Sequence, residues 1–288
     1  MRTIQAADVR SAVRDLCIRA TTELPGDVAV ALIKARKSED SPLAQEVLGA
    51  ILENARLSSS RKVPICQDTG LTYVFLEVGQ DLHIAGGDLG RAVAQGVAEG
   101  YTQGFLRKSV VRDPLFSREN TGDNTPPVIH TEIVPGSDLS ITVLPKGTGG
   151  ENMSAVAMLT PAAGIEGVRK FVLDTVAKGA ANACPPLTVG VGVGGMMDAA
   201  ALLAKKALLR AVGVSNPDPR VAGLEGELLD DINKLGIGPG GLGGRNTALA
   251  VHIETCPTHI GALPVAVNLQ CHAARRATAV LEGKEVQA

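Results

Sequence analysis

The chain has 288 residues, of which 45% are hydrophobic and 20% charged, and its formal net charge is −2. That is enough length for a sizeable core, and too little charge to steer a polyanion. Two Tyr, four Phe and no Trp leave a core of Ala, Val, Leu and Ile, and they argue against a basic, aromatic-studded nucleic-acid surface.

The predicted elements begin with helices. Over 6–22, Val9, Ala12, Val13, Leu16, Cys17 and Ala20 recur at helical spacing. A second segment opens at Pro25, and a third follows Ser41-Pro42, with Leu43, Val47, Leu48, Ile51 and Leu52 on one stripe. After a strand at 71–78, Asp88 is placed to cap a helix carrying Leu89, Val93, Val97, Tyr101 and Phe105. The same helix holds Gly96, Gly100 and Gly104 among polar residues. We read that stripe as the close approach of another backbone rather than a membrane pairing motif. Strands at 128–134 and 139–144, separated by Pro-Gly-Ser-Asp, are expected to form a hairpin. Helices at about 165–178, 198–211 and 224–235 flank a strand at 187–193. Residues 236–244 form a glycine-rich loop, strands at 248–253 and 263–269 follow, and a closing helix is expected from about residue 271. The alternation is irregular, which predicts a single α+β domain over 1–288 with mixed β-sheets surrounded by helices.

No run of about eighteen apolar residues marks a membrane span. The charged start MRTIQAADVRSAVRD lacks the apolar stretch of a signal peptide, so a cytoplasmic protein is expected. Five scattered cysteines, at 17, 66, 184, 256 and 271, make a poor disulfide framework and point to core thiols, catalysis or metal. Cys17 lies on the apolar face of the first helix and reads as a core thiol. In Pro64-Ile65-Cys66-Gln67-Asp68-Thr69-Gly70 a thiol, an amide and a carboxylate share one turn. A structural turn satisfied by its own Asp and Thr explains it equally well. Cys184 precedes two prolines and then Gly190-Val-Gly-Val-Gly-Gly195. This matches the dinucleotide fingerprint in letters, but no acidic residue ends a following strand at the required distance. A glycine strand approached closely by another backbone is the better reading. Cys271 lies where a strand gives way to the expected helix, and Cys256 competes with it as a ligand. No pair has CxxC spacing, so spacing alone selects no metal site.

Six segments together carry a resemblance: PICQDTG, LRKSVV, TGDNTPPVIHTEIVPG, KGTGGENMS, NACPPLTVGVGVGG and HIGALPVAVNLQCHAARRA. In this order over roughly residues 5–280 they resemble the α subunit of class I fumarases and the related tartrate dehydratases. The resemblance implies a [4Fe–4S] cluster on Cys66, Cys184 and Cys271, with one iron left open as a Lewis acid for a small dicarboxylate. It places Gln67, Arg107, Gly149 and Gly150 at the substrate carboxylates, with Asp68 and His259 as proton-handling or orienting groups. Lys146, Asn152, Arg275 and Arg276 are lesser candidates. In such families the main base, a threonine, sits in a second domain. A chain ending soon after the third cysteine therefore implies a separate β subunit, and dimerised α subunits are expected with it. Reversible hydration of fumarate to L-malate is the leading expectation. Tartrate dehydration to oxaloacetate is the nearest rival, and a non-catalytic redox-sensing subunit is a third possibility.

Overall fold

The computed structural model describes residues 2–285. In chain order its first half holds β1 (Arg2–Gln5), α1 (Ala6–Thr22), α2 (Gly26–Ser38), α3 (Pro42–Arg61), β2 (Leu71–Gly79), β3 (Leu82–Ala85), α4 (Leu89–Gln103), β4 (Val128–Val134) and β5 (Leu139–Lys146). The second half holds α5 (Thr148–Glu151), β6 (Ala155–Leu159), α6 (Gly164–Gly179), β7 (Leu187–Gly195), α7 (Met197–Ala207), α8 (Pro219–Lys234), β8 (Ala248–Thr258), β9 (Leu263–Gln270), β10 (Ala277–Leu281) and β11 (Lys284–Glu285). The class is α+β, as expected. By their contacts the residues divide into two compact units. One is built from the segment ending at Pro25, from Ala55–Gly147 and from the segment beginning at Arg275; the other comprises Gly26–Asn54 and Thr148–Ala274.

The first unit is organised by the α1–α4 pair. Val9, Val13, Leu16 and Cys17 on α1 share one core with Val93, Val97 and Tyr101 on α4 and with Val74, Leu76, Ile141 and Val143 of the sheet, on which α1 lies. Each such side chain contributes about 1.5–3 kcal/mol by leaving water. The glycine stripe has the expected cause: a Cβ at Gly96 would stand 2.6 Å from the Arg10 carbonyl oxygen, and one at Gly100 2.9 Å from that of Arg14. Asp88 caps α4 as expected, accepting from the Arg91 N–H at 2.7 Å.

Two expectations fail in this unit. The strands at 128–134 and 139–144 are not hairpin partners, because β2 lies between them in the order β10-β5-β2-β4, parallel to β4 and antiparallel to β5. The Pro-Gly turn therefore carries the chain over an intervening strand. Nor does a helix begin near residue 271. Residues 271–276 are irregular, and Ala277–Leu281 pairs antiparallel with β5 from Ala277↔Val143 to Leu281↔Leu139. Arg275 is 1% exposed and donates from Nη1 to the Asp68 carbonyl at 2.7 Å; this anchor takes the place of a first helical turn. β1, β3 and β11 form a small separate sheet.

The second unit is a three-layer sandwich on the sheet β6-β9-β7-β8. Val189 and Val191 of β7 join a core with Val172 and Val176 of α6 and Leu228 and Ile232 of α8. The glycines of β7 point the other way, under α7, whose Ala200 and Ala204 pack with Ala266 of β9. Just past α2, Glu39 is 3% exposed and clamps the turn that feeds β8. Its carboxylate accepts N–H groups from Ser41, Arg245 and Asn246 and the Asn246 amide. Burial acts to raise the Glu39 pKa, but these donors outweigh it and hold the carboxyl below its usual range. A depressed carboxyl stabilises above its unfolded pKa, and that stability is lost as pH falls through the folded value. Glu39→Gln should cost about 2 kcal/mol at neutral pH. In denaturant titrations the gap from the parent should narrow once the pH falls below the ordinary carboxylate range. A gap that is constant with pH would exclude charge as its source.

Candidate active site

The turn Cys66–Gly70 is held mainly through its backbone carbonyls, with the Asp68 and Thr69 side chains adding local hydrogen bonds. The Ile65 N–H donates to the Thr21 carbonyl at 2.9 Å, fixing the entry. Tyr101, fully buried on α4, donates its hydroxyl to the carbonyls of Thr69 and Gly70 at 2.7 and 3.0 Å. Burial pushes that phenol up, so it stays a neutral donor. Asn124, also fully buried, donates to the Gly70 carbonyl at 3.2 Å. Arg275 holds the carbonyl of Asp68 from the other side. Gly70 has a φ of +80°, and a Cβ there would meet Lys146 backbone at 2.6 Å, so no other residue fits.

Arg107 is tied into the same assembly. Thr69 donates its hydroxyl to the Arg107 carbonyl at 2.9 Å, and the Ser109 N–H donates to the Asn124 side chain at 2.7 Å. Arg107 and Gln67 are exposed, while Cys66 and Asp68 are half-buried. The Asp68 Oδ1 accepts the Gly70 N–H at 3.0 Å. One small region of the first unit thus presents a thiol, an amide, a carboxylate and a guanidinium.

In the second unit, β7 and β9 pair antiparallel with Thr188 opposite Gln270, which brings the start of one strand to the end of the other. Cys184 and Cys271 therefore share one end of the sheet. His272 links them: its N–H donates to the Cys184 carbonyl at 3.1 Å, and its Nδ1 lies 3.0 Å from the same oxygen. Cys184 is exposed with a φ of +57°, a conformation rare for a residue bearing a Cβ and common where a site constrains the backbone. Gly149 is exposed in α5, where a Cβ would find only the Asn182 carbonyl oxygen, at 3.6 Å. Gly150 is buried beside it.

Two candidates lie elsewhere. Gly195 pairs with Thr258 at the far end of β7, so Cys256 and His259 occupy the opposite end of the sheet from Cys184 and Cys271. The separation along the strands is about 25 Å. His259 is exposed in the β8–β9 turn, where its Nδ1 accepts the Gly261 N–H at 3.0 Å. Within one chain it does not join the Cys184–Cys271 end of the sheet.

The thiols differ in what they can bind. Cys17 is sealed in the α1–α4 core, and burial pushes its thiol up, which disfavours the thiolate that metal ligation needs. Cys66, Cys184 and Cys271 form no disulfide and reach solvent, so their chemistry fits soft thiolate ligation. Among the described residues, no three His, Cys, Asp or Glu side chains stand together as a ready-made metal site. No described helix is long and apolar enough to cross a membrane.

The profile of the family described as Fumarate hydratase (Fumerase) matches residues 10–280. The chain belongs to this fumarate hydratase family. It is 43% identical over 275 residues to a Methanocaldococcus jannaschii protein provisionally named L(+)-tartrate dehydratase subunit alpha, covering 93% of this chain and 96% of that one. It is 37% identical to the L(+)-tartrate dehydratase subunit alpha of Escherichia coli O157:H7, covering 90% of this chain and 86% of the relative. The Shigella sonnei protein of the same name is 36% identical over 262 residues. The chain is thus a hydro-lyase of the fumarate hydratase family, and membership implies an iron–sulfur cluster.

Within this family member the sequence reading overlooked the groups that hold the Cys66 turn. Tyr101 stands on the apolar stripe of α4, and nothing in its spacing betrays that its hydroxyl points at two carbonyls. Asn124, at a φ of +64°, reads as loop. Arg275 is noticed only as local positive charge, yet it is buried, and its Nε has no hydrogen-bond partner.

Proposed function

We propose that the chain is the α subunit of a [4Fe–4S]-dependent hydro-lyase for four-carbon dicarboxylates, with the cluster held by Cys66, Cys184 and Cys271. The observation that carries this is the Cys66–Gly70 turn: Arg275, Tyr101 and Asn124 hold its last three carbonyls, Thr69 ties it to the Arg107 carbonyl, and Cys66, Gln67 and Asp68 keep access to solvent. When bound, such a cluster supplies a Lewis acid that polarises a substrate hydroxyl and carboxylate. Arg107 would take one substrate carboxylate through two parallel N–H donations, which lysine cannot match. The N–H groups of Gly149 and Gly150 would donate to the other, in space that a Cβ at Gly149 would fill. Gln67 would orient the substrate, and Asp68 would hold or accept a proton at its carboxylate. Because His259 stands at the opposite end of its sheet from Cys184 and Cys271, it would serve such a site only from a second copy of the chain.

We read the substrate pair as fumarate and L-malate, in line with the family's description. L(+)-tartrate is the second reading, favoured by the names of the relatives. One hydroxyl separates the two, and a site built to bond that hydroxyl can discriminate strongly. The main base is assigned to a separate β subunit. The test is an anaerobic assay of the reconstituted chain, alone and with its β subunit, on fumarate, L-malate and both tartrate enantiomers. Turnover by the chain alone should fall short of the complex by at least the ~10²–10⁴-fold worth of a general acid–base group. Equal rates would overturn the two-subunit reading. Turnover of L(+)-tartrate alone would decide for the second substrate.

A further inference from the structure

The proposed carboxylate donors Gly149 and Gly150 sit in α5, a single turn of four residues. An isolated turn has no stability of its own, and glycine is costly to order. Something outside the turn must hold these two amides in place.

Side chains outside the proposed substrate contacts brace the turn. Ser154 donates its hydroxyl to the Gly150 carbonyl at 2.9 Å and accepts the Leu269 N–H of β9 at 3.0 Å. Glu151 is gripped at both oxygens: Asn268 of β9 donates to Oε2 at 3.0 Å, and the Lys205 ammonium of α7 pairs with Oε1. Lys205 is 7% exposed and Asn268 likewise 7%. A buried ammonium is tolerable only with a counter-ion, so the pair is held where α7 and β9 fix it. Two residues on from Leu269, beyond the end of β9, stands Cys271. The glycine turn is therefore registered to the strand that carries a cluster cysteine.

We propose that Glu151, Lys205, Asn268 and Ser154 are positioning residues that fix the Gly149–Gly150 amides for a substrate carboxylate. This rests on the reading of those amides as a carboxylate clamp. A clamp bonded equally in substrate and transition state alters KM far more than kcat.

The test uses the reconstituted α–β enzyme with whichever of fumarate, L-malate or L(+)-tartrate it turns over. Lys205→Met and Glu151→Gln are expected to raise KM about tenfold, equivalent to 1.4 kcal/mol, with kcat and cluster absorbance little changed. Lys205→Arg, which keeps the charge, should restore most of the loss. In the full chain without substrate, amide hydrogen exchange over residues 148–154 should quicken in both variants, a local opening that the rest of the sheet does not share. Ser154→Ala, a smaller change, carries the test if Lys205→Met does not fold, and should shift KM in the same direction. Gly149→Ala separates the two claims, since its Cβ has room in the fold. If Gly149→Ala leaves KM unchanged, the clamp reading fails and the brace with it. If it raises KM while Lys205→Met, Glu151→Gln and Ser154→Ala do not, the brace alone is overturned, whichever way exchange moves.

Discussion

Cys66→Ser, Cys184→Ser and Cys271→Ser should each abolish the brown absorbance of the reconstituted chain and, with it, all turnover by the α–β enzyme. A serine hydroxyl is a hard, weakly acidic donor and does not replace a thiolate on iron. Cys17→Ser should keep the colour, because Cys17 is enclosed between α1 and α4 and its burial disfavours the thiolate. Its effect should appear in stability instead, through a hydroxyl buried in an apolar cluster, at about 1–3 kcal/mol. Cys256→Ser is the discriminating variant. Cys256 is half-buried and free, so exposure alone does not disqualify it. What sets it apart from the proposed ligands is the register of β7, which puts it about 25 Å along the sheet from Cys184 and Cys271. Iron and sulfide content per chain, with the visible spectrum, is the measurement. Loss of the cluster in Cys256→Ser, with retention in any of the other three, would overturn the ligand assignment.

The helices and most strands were legible because each carries one dominant period. The apolar face of α1 and the Asp88 cap of α4 are local features, and both appear as read. The failures are non-local. Nothing in residues 128–144 reveals that β2, more than fifty residues upstream, separates the two strands it resembles a hairpin with. The final segment fails for a related reason. Cys271-His-Ala-Ala-Arg-Arg has good helix formers, but Arg275 gains a buried partner in the Asp68 carbonyl, and Ala277–Leu281 gains the free edge of β5. Tertiary partners override propensity there. The site shows the same division. The candidates for chemistry are named by the family motifs. That His259 and Cys184 lie at opposite ends of one sheet could not be read from them, since it depends on strand direction and register.

The glycine run of β7 allows a sharper test, because its two readings predict opposite outcomes. Were Gly190–Gly195 a dinucleotide loop, its glycines would face a ligand, and an added methyl would cost cofactor binding while sparing the fold. Asp218 stands about twenty residues past the glycine run, where such a fold would place its ribose-binding acid, but it caps α8 by accepting the Arg220 N–H at 2.9 Å. In β7 the glycines face α7: a Cβ at Gly192 would stand 2.1 Å from the Ala200 carbonyl oxygen and 2.5 Å from the Ala204 nitrogen, and one at Gly190 2.2 Å from the Ala204 carbonyl oxygen. These are backbone atoms of a hydrogen-bonded helix, so no rotamer change can relieve the clash, and α7 must lift from the sheet. Gly192→Ala should therefore destabilise by at least about 3 kcal/mol, the upper range for overpacking, and sharply reduce soluble yield. Gly223→Ala is the matched control. It lies in α8 with no atom within 4 Å of the added Cβ, and should be neutral or stabilising by up to about 1 kcal/mol, as expected for glycine to alanine within a helix. Thermal melts of the two variants beside the parent decide it. A Gly192→Ala chain that melts with the parent would remove the close α7–β7 packing and reopen the loop reading.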